Sequence, residues 1–445
     1  MQTAIVGAGP IGLFAAIALA RRGHEVTVVD RDTGPATDGS WERRGVMQFH
    51  HPHGLRKQVV DAIAAEMPDV QDRLLAAGAQ LAILPAEDGR PERVVGLHCR
   101  RMTFERMLRE TAEAEPGVTL RAGHADGVLS EDGRAAGLRV DGVEVPFDLV
   151  INASGRSGRL VNDMRAPEIG GDCGLAYVSR QYEFEPGAGF GPMNTPVGLV
   201  RTLNGYMIAV FLQDNRTFSA LIARPSSDRR LAALRFPEAF EAAARAIPGL
   251  AEWIDPERAH PITPVLPGGR LRNTYRGQLD EQGRVPLPGL VHVGDAVCTT
   301  NPTAGRGIAV GLRQAQRLVD LIGEHPADIT AVTVAFDEWC TANIRPWYDD
   351  HVYWDADILR RWAGGDVDVT RRLPSDLILE AIAVDRSLMR VAGPYMAMEV
   401  LPSALDEIEP RAREIFASGW RPDPHPGPTR DELAGLIAPL TAAAR

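Results

Sequence analysis

The first chemical signal in this chain comes from glycines and lone carboxylates set at telling intervals. Gly7, Gly9 and Gly12 stand in the spacing G-x-G-x-x-G, with Pro10 after the second. The first glycine permits a tight turn. The second lets backbone amides approach a diphosphate, and the third lets a helix pack closely on a strand. Asp30, followed by Arg31, comes one helix and one strand later, where a carboxylate can accept both hydroxyls of a ribose. A second carboxylate, Asp295, closes the apolar run Leu290, Val291, Val293 and is followed by Pro302, Gly305, Gly307 and Ile308. An acid at a strand tip sits where open α/β sheets bind ligands, and the helix start after it offers free N–H groups to an electron-rich group.

These residues need particular elements to hold them. Ala4, Ile5 and Val6 read as a strand, Leu13 to Ala20 as a helix ended by Gly23, and Val26, Val28 and Val29 as a second strand closing on Asp30. That βαβ unit predicts a bound dinucleotide, and Asp30 alone suits NAD and FAD equally. Arg43 opens the segment RRGVMQFHHPHGL. Arg101 precedes a helix with Phe104, Met107 and Leu108 on one side, where its fork can reach a phosphate or a ring edge. The glycines of GAGFGP, residues 187–192, follow Pro186 and meet Pro192, so that stretch reads as a loop.

At 445 residues, 44% hydrophobic and 24% charged, the chain suits a globular protein of two or three domains. Its net charge of −11 argues against a nucleic-acid partner, and no apolar run reaches the ~20 residues of a membrane span. The start MQTAIVGAGP lacks the basic and apolar regions of a secretory signal. Cys99, Cys173, Cys298 and Cys340 lie far apart, so a reduced, cytoplasmic protein without a metal site is expected. His50, His51 and His53 cluster without an acid or cysteine partner and read as loop residues.

Together these stretches resemble the FAD-dependent monooxygenases of the para-hydroxybenzoate hydroxylase fold. GAGPIG is similar to that family's phosphate fingerprint. Arg43-x-Gly45-Val46-x-Gln48 resembles its loop after the second strand, Arg101-x-x-Phe104-Glu105-x-x-Leu108 its arginine-led helix, and Gly294-Asp295…Pro302-x-x-Gly305-x-Gly307 its GD motif. The resemblance implies an α/β fold with a Rossmann-type (GR2-like) FAD-binding domain, an inserted, mostly antiparallel β substrate domain and a C-terminal helical region. It places FAD on Gly7, Gly9, Pro10, Gly12, Asp30, Arg31, Arg43, Arg101, Asp295, Pro302, Gly305, Gly307 and Ile308. The expected division is 1–73, 98–162 and 281–326 for the FAD domain, 74–97 and 163–280 for the substrate domain, and 327–445 for the helical region. The implied chemistry is transfer of one oxygen atom from O2, through a flavin C4a-hydroperoxide, to a mostly apolar secondary-metabolite substrate by epoxidation or hydroxylation.

Asn152-Ala153-Ser154-Gly155-Arg156-Ser157-Gly158-Arg159 stands where that family's middle motif carries aspartate, and similar ASGR variants occur among natural-product epoxidases. Ser154 leaves two electron sources open, NAD(P)H directly or reduced flavin from a partner flavin reductase. A related halogenase would carry a W-x-W-x-I-P signature and an essential lysine; the signature is missing, and Lys57 is the chain's sole lysine. A prenyl-chain reductase is the third reading. Tyr177, Arg180, Tyr182 and Tyr206 fall on strand-like segments and are expected to line the substrate pocket. The aromatic run around Trp347 and Trp354 reads as core packing, and Asp349 and Asp350 as a solvated face.

Overall fold

The computed structural model describes residues 1–43, 45–86, 91–156, 160 and 164–442. Ser157, Gly158 and Arg159 of the ASGR segment lie outside the described residues. A five-stranded parallel sheet forms the first layer, in the order 290–292, 149–152, 2–6, 25–30, 118–122. β1 (Gln2–Val6) sits at its centre and pairs with 149–152 on one side and with β2 (Glu25–Asp30) on the other. The strands 149–152 and 290–292 are buried throughout, and β1 is buried from Thr3 to Val6, so they lack the exposed alternation of a half-solvated strand. Helix α1 (Pro10–Ala20) follows β1, is almost wholly buried, and packs against the long helix Gly307–Glu324.

A six-stranded antiparallel sheet forms the second layer, with the path 198–203, 206–212, 217–225, 175–184, 259–261 and a further strand, 266–268, on 175–184. One face is covered by Pro237–Ala246 and by Leu433, Ala434 and Ile437 of the last helix, Arg430–Ala442. That last helix therefore packs with the antiparallel sheet. The other face carries Tyr177, Met207, Ala209 and Leu221. A strand does precede the 187–192 glycines, since Leu175–Phe184 ends just before them, but no helix follows and the stretch is a loop. The helices Ile329–Asn343 and Arg345–Trp362 extend the first core, through Phe336, Cys340 and Trp347.

Candidate functional site: a cavity at the carboxyl ends of the parallel strands

A cavity of about 830 Å³ opens at the carboxyl ends of the parallel strands. That volume suits a large ligand. It is lined by Gly7, Gly9, Pro10, Asp30, Arg31, Arg43, Arg101, Asp295, Pro302, Gly305, Gly307 and Ile308. The structure thus brings together every residue expected to touch the cofactor except Gly12. Gly12 sits in the first turn of α1, and a Cβ there would fall 2.0 Å from the Gly7 carbonyl oxygen. Its part is helix–strand contact. Gly7, at φ +112, meets the 149–152 strand's exit, where a Cβ would lie 2.5 Å from the Ala153 carbonyl oxygen. At Gly9 a Cβ would meet nothing within 4 Å among the described residues, because that position faces the open cavity.

Two helix starts point into this space. α1 begins at Gly9–Pro10 with no side-chain cap, so its first free N–H groups remain available to an anion. The helix Gly307–Glu324 also begins without a side-chain cap, and Gly307 and Ile308 line the cavity. Ile11 ties these starts together: it packs on Gly294, and a Cβ on Gly311 would lie 2.5 Å from its Cδ1. The Gly54 and Gly305 backbones also touch, with a Cβ on Gly305 coming 3.2 Å from the Gly54 Cα. The opening helix, the 43–55 segment and the 294–308 segment are therefore walls of one site.

Charge along the walls is fixed by a buried chain of ion pairs. Asp30 accepts from the Ala8 amide at 2.6 Å and from Arg43 Nη2 at 2.9 Å. Arg43 donates from Nη1 to the Ala8 carbonyl at 3.0 Å and to Glu105 at 2.5 Å. Glu105, fully buried, takes Arg101 on its other oxygen. Burial works against the Arg43 charge, but the carboxylates of Glu105, Asp30 and Asp32 prevail and hold its guanidinium above the ordinary value. Glu105 was legible as the residue one helical turn after Arg101, yet only the fold reveals that it binds Arg43 as well as Arg101. Asp295 is open to the cavity but enclosed by protein, and that desolvation raises its carboxyl above the usual range against the pull of Arg101 and Arg156. His53 lines the same wall, and burial together with Arg101 lowers its imidazole to about 3.

The residues present fit FAD. An uncapped helix start beside an open Gly9 suits a diphosphate, Asp30 a ribose, Asp295 a ribityl hydroxyl, and the Gly307 helix start the electron-rich edge of the flavin ring.

Pro52 and Pro302 also border a much smaller slot of about 10 Å³ against Tyr177, Met207, Ala209, Phe211 and Leu221. Of the residues expected to line a substrate pocket, Tyr177 is placed there, and Arg180, Tyr182 and Tyr206 are not. The strand period of two explains the correction: 177 and 179 face the slot, whereas 180 and 182 face the covering helix. Arg180 and the Tyr182 hydroxyl both bind Glu241 of that helix, at 2.8 and 2.6 Å, and the Tyr206 hydroxyl binds the Pro428 carbonyl at 2.8 Å. The slot side instead gains His51, whose Nδ1 lies 2.7 Å from Ser179 Oγ and whose ring meets Tyr177 edge-on. Burial lowers His51 to about 4 and raises the Tyr177 phenol, so both are neutral at pH 7. Asp350, expected at a solvated face, is buried and pairs with Arg306 at 2.7 Å, while Asp349 is exposed. Long-range pairing of that kind leaves no local sequence signal.

Residues 2–87 match the family model described as FAD dependent oxidoreductase. The D-amino acid dehydrogenase of Allorhizobium ampelinum is 51% identical over 49 residues, 11% of this chain and 12% of that protein. The chain spans only 12% to 35% of the length of the curated relatives it matches. Among solved structures, the flavin-dependent brominase Bmp2 superposes over 94% of this chain and 100% of its own with a TM-score of 0.63 at 15% identity. OxyS anhydrotetracycline hydroxylase from Streptomyces rimosus covers 90% of this chain and 77% of its own, with a TM-score of 0.59 at 16% identity. Likeness at such identity speaks to fold. The fold is that of FAD-dependent halogenases and monooxygenases, and residues 2–87 carry the sequence match to an FAD-dependent oxidoreductase domain.

Proposed function

We propose that the chain is an FAD-dependent monooxygenase that places one oxygen atom of O2 on a mostly apolar small molecule, by epoxidation or hydroxylation. The observation that carries this reading is the junction at Pro52 and Pro302, where a charged cavity suited to FAD meets an apolar slot. Bound FAD, once reduced by an external donor, would supply two electrons to O2 and deliver one of its atoms, the other leaving as water. The protein's own work is placement. Gly9 and the α1 start hold the diphosphate, Asp30 the ribose, Asp295 the ribityl chain, and the Gly307 start favours negative charge on the ring edge. Met207, Ala209, Phe211 and Leu221 orient the substrate and exclude water. The electron source in this reading is NAD(P)H or reduced flavin from a partner reductase; Ser154, bound to Asn152 through both its amide and its hydroxyl, places no charge at that wall.

Halogenation is the second reading, raised by the likeness to the Bmp2 fold. Lys57 weighs against a lysine-dependent route, since it binds Asp61 of its own helix at 2.6 Å and does not line the cavity. One experiment separates the readings. Reduce the FAD-loaded protein without oxygen, admit O2, and follow the flavin spectrum. A near-ultraviolet transient before the oxidised spectrum returns supports oxygen transfer, whereas a single fast reoxidation with a saturated prenyl product supports the reductase reading. With bromide or chloride supplied, covalently bound bromine or chlorine in the product, read by mass spectrometry, identifies halogenation.

A further inference from the structure

We propose that Asp350 and Asp355, both on the helix Arg345–Trp362, are positioning residues for the cofactor cavity, holding the two ends of the 301–306 segment that forms its rim. The inference rests on the reading of the cavity as an FAD site. Neither aspartate lines the cavity; each acts through another residue.

At the far end of the rim, Arg306 turns away from the cavity into a box of aromatic rings. Its guanidinium carbon lies 4.7 Å from the Trp347 ring centre, 5.2 Å from Tyr395 and 5.8 Å from Trp354. Its Nη1 donates to Asp350 Oδ2 at 2.7 Å and its Nη2 to the Tyr395 hydroxyl at 2.6 Å. That hydroxyl donates onward to Asp350 at 2.7 Å, and Ser375 donates to the other carboxylate oxygen. Arg306 and Asp350 are both nearly sealed from solvent, so the charge of one has meaning only beside the other.

At the near end, Asn301 is fully buried. It donates from Nδ2 to Asp355 at 2.9 Å, and its amide donates to Asn273 at 2.6 Å. Asn273 in turn donates to the second Asp355 oxygen at 2.7 Å. With its side chain fixed, Asn301 caps the turn that begins at Pro302 by accepting from the Thr303 amide at 3.1 Å.

Between the two anchors the chain must pass Gly305 at φ +62 against the Gly54 backbone, with Arg56 holding the carbonyls of Ala304 and Gly305. The amides of Gly307 and Ile308 follow immediately. Their direction is thus set by a helix of the C-terminal region, and so is the fit of whatever ring they face.

The test uses full-length protein carrying Asp350→Asn, Asp355→Asn, Tyr395→Phe or Asp350→Glu, with FAD and ADP as probes and hydrogen exchange of the ligand-free protein as a third readout. ADP reports the α1 end alone. The expected result is FAD binding weakened at least tenfold in the two Asn variants, with a shifted flavin visible band and unchanged ADP affinity. Exchange should quicken at 301–308 and stay unchanged at 7–12. Tyr395→Phe, which keeps the ring, should show the same pattern to a smaller degree, and Asp350→Glu should recover part of the loss. Equal loss of FAD and ADP, or unchanged FAD affinity with unchanged exchange at 301–308, overturns the proposal. If wild-type protein binds ADP but not FAD, the cofactor reading fails, and exchange at 301–308 decides the positioning role by itself.

Discussion

The polar wall of the cavity and the apolar wall of the slot that adjoins it are built on opposite physical plans. The wall beneath the parallel sheet works through directed groups: helix starts at Gly9 and Gly307, the carboxylates Asp30 and Asp295, and arginines Arg43 and Arg101 locked by the buried Glu105. The slot wall from the antiparallel sheet is a plain apolar face, Met207, Ala209, Phe211 and Leu221, with Tyr177 on it and His51 of the 43–55 segment against Tyr177, both kept neutral by burial. Directed groups tolerate little displacement, because a hydrogen bond or ion pair weakens steeply with geometry. An apolar face tolerates exchange of shape as long as volume is conserved. The first plan suits one ligand of fixed shape, and the second suits an apolar group of less exact shape.

That contrast predicts graded outcomes. The largest effect belongs to Glu105→Ala, which leaves Arg43 and Arg101 without their shared carboxylate; stability should fall by about 4 kcal/mol in urea unfolding. A loss below about 1 kcal/mol would mean that the buried chain is not what stiffens the polar wall. Next comes a pair of glycines in one turn. Gly12→Ala must push on the Gly7 carbonyl and should cost about 3 kcal/mol of stability. Gly9→Ala meets no atom within 4 Å among the described residues and should leave apoprotein stability within about 0.5 kcal/mol while FAD affinity drops about tenfold. Similar stability losses for both would refute the assignment of Gly9 to the ligand.

Asp355 gives a pH test. Burial raises its carboxyl to about 6, against the help of Asn273 and Asn301, with Asp376 adding to the rise and Arg306 opposing it. The folded state therefore holds a proton that the unfolded state has already released above about pH 4. Stability should fall as pH rises from about 4 to about 6, by up to about 3 kcal/mol, and level off beyond. Asp355→Asn should flatten that slope in unfolding curves recorded across the window; an unchanged slope would assign it to another group. The smallest effect is the control on strand parity. Tyr182→Phe loses one hydrogen bond to Glu241, worth about 1 kcal/mol, and should leave FAD binding and turnover untouched. A change in turnover would place the substrate on the other face of the sheet.

The polar wall was largely legible in the sequence because its chemistry is written in local spacing. Glycine intervals, an acid at a strand end and a helix start each follow from a few consecutive residues. What joins those pieces was not. Arg306 meets Asp350, and Asn301 meets Asp355, only after the chain returns through the helix Arg345–Trp362, and the pattern around Asp349 and Asp350 suggests an exposed acidic pair. The apolar wall was illegible for a different reason. Tyr206–Leu212 and Thr217–Pro225 are buried along their whole length, since helices cover one face and the cavity side covers the other. Without polar alternation there is no signal for which parity faces the slot. Tyr177 was separable from Arg180 and Tyr182 by parity alone, but which of the two sets meets the ligand is decided by packing.

The account stands on the claim that the opening helix and the 294–308 segment grip one FAD molecule. A fluorescence titration of wild-type, Gly9→Ala and Asp295→Ala protein with FAD tests it most directly. The account predicts tight binding by the wild type and about tenfold or greater weakening in both variants, at opposite ends of the ligand and with the fold intact by circular dichroism. Full FAD retention with an unaltered flavin spectrum in Asp295→Ala would contradict it.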